Sequence, residues 1–179
     1  MIEQIIDYHL AHEGISRVVK ILHCHRQFLG IDLDPSQHQK LCHKYTTLVE
    51  DKVIACREIN GASLFLQSYH KDSHFFVVSG TPEDELRRIV TQRGLADYFE
   101  AVYGSPRTKD VIVREILDEL ELPRHQCLFV GDAMTDYHAA MATDIPFIGR
   151  VNKCEVGPFP EGTPMVGDLK ALAEYLLCA

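Results

Sequence analysis

From residue 74 onward the chain carries three short apolar runs, HFFVVSG at 74–80, FEAVYGS at 99–105 and QCLFVGD at 126–132, and a helical pattern follows each. Runs this short and this apolar suit strands buried on both faces, as in a parallel sheet. After the first run, TPEDELRRIVTQRG places Pro82 at a helix start, acids in the first turn, arginines later and Gly94 at the stop. TKDVIVREILDEL and AMTDYHAAMAT read as the second and third helices, IPFIGRV as a fourth strand and LKALAEYLL as a closing amphipathic helix. Strand and helix alternating through short connections predict an α/β architecture, a doubly wound parallel sheet with helices on both faces. In such sheets a ligand sits beyond the carboxyl ends of the strands.

The first 60 residues follow a different rule. Ile2, Ile5, Ile6 and Leu10 recur at helical spacing until Gly14 breaks the pattern. Ser16 then caps RVVKILHCHRQFL, with Val18, Val19, Leu22 and Phe28 on or near one face. Pro35 occupies a first-turn position of a further helix running to about Cys56. With no strand signal between them, these segments predict a small helical bundle over residues 1–60, followed by an α/β core over residues 61–179.

The residues at the strand ends are chemically matched. Ser79-Gly80-Thr81 closes the first strand, Arg107, Thr108 and Lys109 precede the helix after the second, and Asp132 and Asp136 follow the third. Parallel strands bring all three groups to one edge. A hydroxyl with adjacent backbone N–H groups and an ammonium suit phosphate oxygens; a carboxylate pair suits Mg²⁺, which takes hard oxygen ligands and keeps several waters. Together they form a clamp for a phosphoryl group, whose charge spreads over three oxygens. Each part also has a plain structural reading: Ser79 or Thr81 as a helix N-cap, Lys109 as a solvated side chain, Asp132 as an N-cap with Asp136 exposed.

Composition narrows the partners. A formal net charge of −8 makes neither nucleic acid nor an anionic membrane an attractive partner, and an anionic substrate needs a local cation, lysine or helix N-terminus. No apolar run approaches the roughly 20 residues that span a bilayer. The N-terminus has neither a basic leader nor a cleavage site. The six cysteines are scattered without a C-x-x-C pair and read as reduced thiols of a cytoplasmic protein. His23, Cys24 and His25 do not close a metal site unaided, because adjacent helical side chains point about 100° apart; packed or solvated histidines are the better reading.

These motifs, in this order, resemble the haloacid dehalogenase superfamily, and within it phosphatases of the phosphoglycolate-phosphatase type with a helical cap. FFVVSGTP is similar to the second family motif, with Ser79 and the neighbouring Gly80 amide on the phosphoryl group. GSPRTKD resembles the third, with Lys109 as the matching cation and Arg107 as its competitor. LFVGDAMTDYHAA resembles the fourth, which implies Asp132 as a metal ligand and Asp136 as a direct ligand or one acting from behind it. YHLAHEGISRVVKI looks like the start of the cap, and Arg17 within it is either a substrate contact or the partner of an acid on the helix surface. The similarity runs from about Ile5 to Leu177.

One family element is not matched. Members begin with a Rossmann-like strand ending in D-x-D, whose first Asp is the nucleophile and second the general acid and base. Asp32 and Asp34 have the spacing but follow a helix and precede Pro35, so a loop and a helix cap explain them better. In the family that strand lies mid-sheet, between the strands ending VVSG and FVGD. Its absence predicts either four parallel strands paired directly across the gap, or a homodimer that fills the gap by strand exchange. The resemblance implies an Mg²⁺-dependent phosphomonoesterase for a small phosphorylated metabolite in the complete form. This chain is expected to be inactive, with the N-terminal segment missing and Mg²⁺ weakly held or absent. The alternative is a non-catalytic phospho-ligand-binding or strand-accepting module.

Overall fold

The computed structural model describes residues 1–152 and 156–178. Cys154 therefore lies outside the described residues, as does the Cys178 side chain, while Cys24, Cys42, Cys56 and Cys127 are free thiols. Helices α1 (Ile2–Ala11), α2 (Arg17–Cys24) and α3 (Pro35–Ala55) come first, with a π-helical turn (His25–Leu29) extending α2. A short helix α4 (Ala62–Tyr69), absent from the sequence reading, leads into the α/β part. There follow β1 (Phe76–Pro82), α5 (Glu83–Gln92), β2 (Ala101–Ser105), α6 (Lys109–Glu119), β3 (Phe129–Gly131), α7 (Met134–Thr143), β4 (Phe147–Arg150), β5 (Met165–Val166) and α8 (Leu169–Cys178). No helix among the described residues is long and apolar enough to cross a membrane.

All strand pairings are parallel, as expected, but the strands do not form one sheet. β1 pairs with β2, and β3, β4 and β5 form a separate three-stranded sheet in that order. Two expectations are corrected here. A fifth strand exists, because Met165 and Val166 add to the edge of β4, and β1 and β3 do not pair directly. Helices carry the connection between the sheets: α6 packs on both β1 and α7, while α7 packs on β3 and β4.

Alternation along the strands of the larger sheet builds two cores. Phe129 and Phe147 face α6 and α7, joining Val113, Leu117, Ala140, Ile145 and Phe159. Leu128, Val130 and Ile148 point the other way, onto Phe65 of α4 and Leu172 of α8. Leu172 is 1% exposed, so its truncation to Ala carries the full cavity cost of about 2–5 kcal/mol. Asn60 ties α4 to α8, its amide donating to Asp168 Oδ2 at 2.9 Å and its carbonyl accepting from Leu169 N at 3.0 Å.

The N-terminal helices are packed loosely. Ile2, Ile6 and Leu10, the apolar stripe of α1, are exposed. Tyr8 anchors α1 by stacking on His23 of α2, with ring centroids 4.2 Å apart. His25 hydrogen-bonds locally to the Ile21 carbonyl at 2.9 Å, so both histidines of the HCH run are used in packing or a local bond. Asp34 caps α3 through a reciprocal pair with Gln37, and Asp32 is exposed beside Arg26, as a loop and helix cap require. The layer is fixed to α5 by charge: Arg88 forks onto Glu50 with both bonds at 2.9 Å, and Arg93 donates to the carbonyls of Val53, Ile54 and Cys56 at the end of α3.

Candidate functional site

The carboxyl ends of β1 and β3 and the start of α6 open onto one cavity of about 260 Å³. Ser79, Gly80, Thr81, Lys109 and Asp132 line it from the α/β side. Thr81 N donates to Ser79 Oγ at 3.2 Å, a tight local turn that turns the end of β1 into hydroxyl and amide donors. The helical layer supplies the opposite wall, with His9, Arg17, Lys20 and Tyr45.

The backbone between α1 and α2 threads this junction. Gly14, at φ +81°, packs against Ala133 and Thr135 at the start of α7. Its carbonyl lies so near Gly80 that a Cβ there would come within 2.5 Å of it. Glycine at both positions lets the loop pass between the two strand ends. Ser16, next in the loop, donates to Ser105 Oγ at the end of β2 at 3.0 Å.

Lys109 and Asp136 form the electrostatic centre. Lys109 Nζ lies 2.5 Å from Asp136 Oδ1, with the two side chains 11% and 7% exposed. Asp136 Oδ2 accepts from Ala133 N at 3.1 Å, so both oxygens are engaged. Gly131 admits the carboxylate, since a Cβ there would sit 2.5 Å from Asp136 Cγ. Arg107 turns elsewhere, to Glu83 at 2.9 Å and Glu115 at 2.7 Å, and stacks on Tyr103. The Gly104 amide, followed by Arg107, holds the Glu83 carboxyl below its usual range.

Arg17 also meets a protein carboxylate. Its Nη1 donates to Glu85 Oε2 of α5 at 2.9 Å and its Nη2 lies 2.8 Å from Oε1 as an ion-pair contact; Thr46 donates to Oε2 as well at 2.7 Å, and the guanidinium lies over the Tyr45 ring. This is the acid-pairing reading of Arg17, although Glu85 is a buried acid and not a surface one. The sequence reading missed His9, Lys20 and Tyr45 as cavity residues. Their only signal is position, one helical turn to either side of the HEGISR break or on the facing helix.

Among the described residues no group of three or more His, Cys, Asp or Glu side chains is gathered for a metal. With Asp136 engaged twice, Asp132 is the exposed carboxylate on the cavity. That donor set fits a hard, mostly hydrated cation such as Mg²⁺, which takes one or two carboxylates and completes its shell with substrate oxygens and water. It does not fit a closed zinc cage.

Comparison with known proteins agrees with this architecture. Residues 3–150 match the model of the haloacid dehalogenase-like hydrolase family. Over 81 residues the chain is 32% identical to a phosphoglycolate phosphatase of Yersinia pseudotuberculosis, covering 41% of this chain and 34% of that protein. Over 139 residues it is 27% identical to a 5'-nucleotidase of Pseudomonas aeruginosa, covering 72% and 61%. The chain thus spans less than two thirds of either curated relative. A crystal structure of a predicted phosphoglycolate phosphatase from Haemophilus somnus superposes with a TM-score of 0.73 at 15% identity, over 92% of this chain and 79% of that one, a likeness of fold. With strand ends, parallel pairings and family match in agreement, the chain belongs to the haloacid dehalogenase-like hydrolases.

Proposed function

We propose that these residues form the phosphate-binding part of a phosphomonoester hydrolase, with the helical layer over residues 1–60 acting as the cap of an α/β core over 61–179. The observation that carries the reading is the convergence of Ser79, Gly80, Lys109 and Asp132 on one cavity from two separate sheets. In a chain of net charge −8, that cavity is lined by Lys109, Arg17 and Lys20, of which Lys109 is paired with Asp136 and Arg17 with Glu85. Ser79 Oγ and the Gly80 amide would bind phosphoryl oxygens, and Lys109, oriented by Asp136, would offset their charge. We assign the cation of the third motif to Lys109, because Arg107 is committed to Glu83 and Glu115. Asp132 would anchor Mg²⁺, which on binding supplies charge neutralisation of the phosphoryl oxygens. Asp136 would act through Lys109 and the Ala133 amide.

No strand end among the described residues presents a D-x-D pair, so the polypeptide of these 179 residues should bind phosphate without rapid turnover. Calorimetry with inorganic phosphate, with and without Mg²⁺, tests this. Phosphate should bind, Ser79→Ala should weaken it about tenfold, and Asp132→Asn should remove the Mg²⁺ dependence. Mg²⁺-dependent hydrolysis of an aryl phosphate at enzymatic rates, abolished by Asp132→Asn, would refute the inactive reading. One observation favours a second reading, a strand-accepting module: β1 and β3 end on the same cavity yet share no ladder. Sedimentation that finds a monomer, together with no phosphate affinity, would count against both readings.

A further inference from the structure

The inner face of α5 is apolar except at one position. Glu85 is buried there beside Leu86, Ile89 and Val90, and is 2% exposed. A carboxylate in such a place loses its hydration and must be paired to remain charged. Replacing a buried ion pair by apolar residues of similar volume is often neutral for stability. Packing alone therefore does not call for an acid at this position.

Its partner is a cation that lines the cavity. Arg17 Nη1 and the Thr46 hydroxyl both donate to Glu85 Oε2, while Oε1 has the ion-pair contact with Arg17 Nη2 and no hydrogen bond. Arg17 borders the cavity and Glu85 does not, so the acid sits behind the guanidinium. Glu50 and Arg88 feel the charges of Arg17 and Glu85 as well, but they are bonded to each other. The other cavity cations are also opposed by protein acids. Lys109 is held by Asp136, and the Glu13 charge acts on Lys20, whose pKa burial chiefly lowers and Glu13 raises. Of these three acids, Glu85 is the one fixed in the contact between the helical layer and α5, and replacing it removes no group of the strand ends.

We propose that Glu85 is a positioning residue that sets the anion affinity of the cavity by neutralising Arg17 from behind. This rests on the phosphate-binding reading of the strand ends. Arg17 then gives the wall its shape, held over the Tyr45 ring, but little net charge. Phosphate is left to the hydroxyl, amide and ammonium of the strand ends, and the wall does not draw in anions that those groups fail to fit. An anion competing for Arg17 would leave Glu85 buried with the Thr46 hydroxyl as its remaining partner, so the guanidinium stays with the acid.

Calorimetry with inorganic phosphate on the full chain at low ionic strength tests this with two variants. Glu85→Gln keeps an amide oxygen for Arg17 and Thr46 but removes the charge. It should raise phosphate affinity by about threefold or more, and the gain should fade as salt is added. A merely structural Glu85 predicts no gain. The double variant Arg17→Met/Glu85→Leu removes both charges and leaves neither buried alone, so it should keep phosphate affinity within about threefold of the unmutated chain. Circular dichroism confirms which variants are folded; where Glu85→Gln is not, the double variant decides. A gain below about threefold in folded Glu85→Gln, or a loss beyond about threefold in the double variant, overturns the inference and leaves the phosphate reading standing. Phosphate binding by Glu85→Gln alone supports the inference, whereas failure of phosphate to bind both that variant and the unmutated chain overturns the phosphate reading itself.

Discussion

Asp136→Asn should be the most damaging conservative substitution in this protein. Asp136 is surrounded by donors, Lys109 Nζ at 2.5 Å from Oδ1 and Ala133 N at 3.1 Å from Oδ2. An asparagine amide has one acceptor and one donor end, so in either orientation it points its NH₂ at a donor. Two unit charges at the observed 2.5 Å attract by about 7 kcal/mol at an effective dielectric of 20, a gross figure that the desolvation of both groups largely offsets. What the mutation exposes is the remainder: an ammonium only 11% exposed, left facing a neutral amide, at about 2–4 kcal/mol. Urea denaturation followed by circular dichroism reads it directly. Lys109→Met should cost a similar amount, and the double variant clearly less than the sum, with a coupling energy of about 2 kcal/mol. Single-variant losses below about 0.5 kcal/mol, or additivity within that margin, would refute the buried-pair argument and with it the assignment of Asp136 to Lys109.

Gly131→Ala places a methyl 2.5 Å from Asp136 Cγ and should cost about 1–3 kcal/mol by overpacking, read as a lower urea midpoint, while Gly162→Ala, with open space around it but φ +85°, tests backbone strain alone. Arg93→Ala removes three bonds of 2.7–2.9 Å to the end of α3 and should lower stability by about 1–2 kcal/mol, with amide exchange quickening over residues 50–56. Glu83 has a folded pKa below its ordinary 4.5, so its contribution is present above that value and is lost as pH falls through the lower folded one. The melting midpoint should therefore drop on the acid side, and Glu83→Gln should lower it at pH 6 while flattening the acid slope.

The α/β part was legible because its strands are short apolar runs bounded by Gly, Ser and Asp, and because Pro82 and the acids after it fix where α5 begins. α3 was legible to within a residue through Asp34-Pro35. β5 was not: two residues, Met165 and Val166, are too few to carry a period, and only the edge of β4 makes them a strand. α4 was hidden for a related reason, since ASLFLQSY spans two turns and is held by Phe65 on the distant Leu172 cluster. At the strand ends the sequence supplied Ser79, Lys109, Asp132 and Asp136, but it could not separate the roles of the two acids, because their spacing is the same whether or not a lysine takes one of them. Nor does hydrophobic patterning find Lys20, since it assigns buried positions to apolar residues and Val18 and Val19 stand just before it.

The division of the sheet changes what the Lys109–Asp136 pair does. Ser79 and Thr81 belong to one sheet and Asp132 follows a strand of the other, so no backbone ladder fixes the distance between them. That distance is set by side chains and a loop: α6 against α7, Lys109 of α6 on Asp136 of α7, and Gly14 lodged between Gly80 and Thr135. Packed helices alone tolerate small slides, whereas an ion pair at 2.5 Å between buried partners does not. The pair therefore serves as the cross-brace of the cavity. Loosening it should move the two halves of the proposed phosphate site apart before either sheet unfolds.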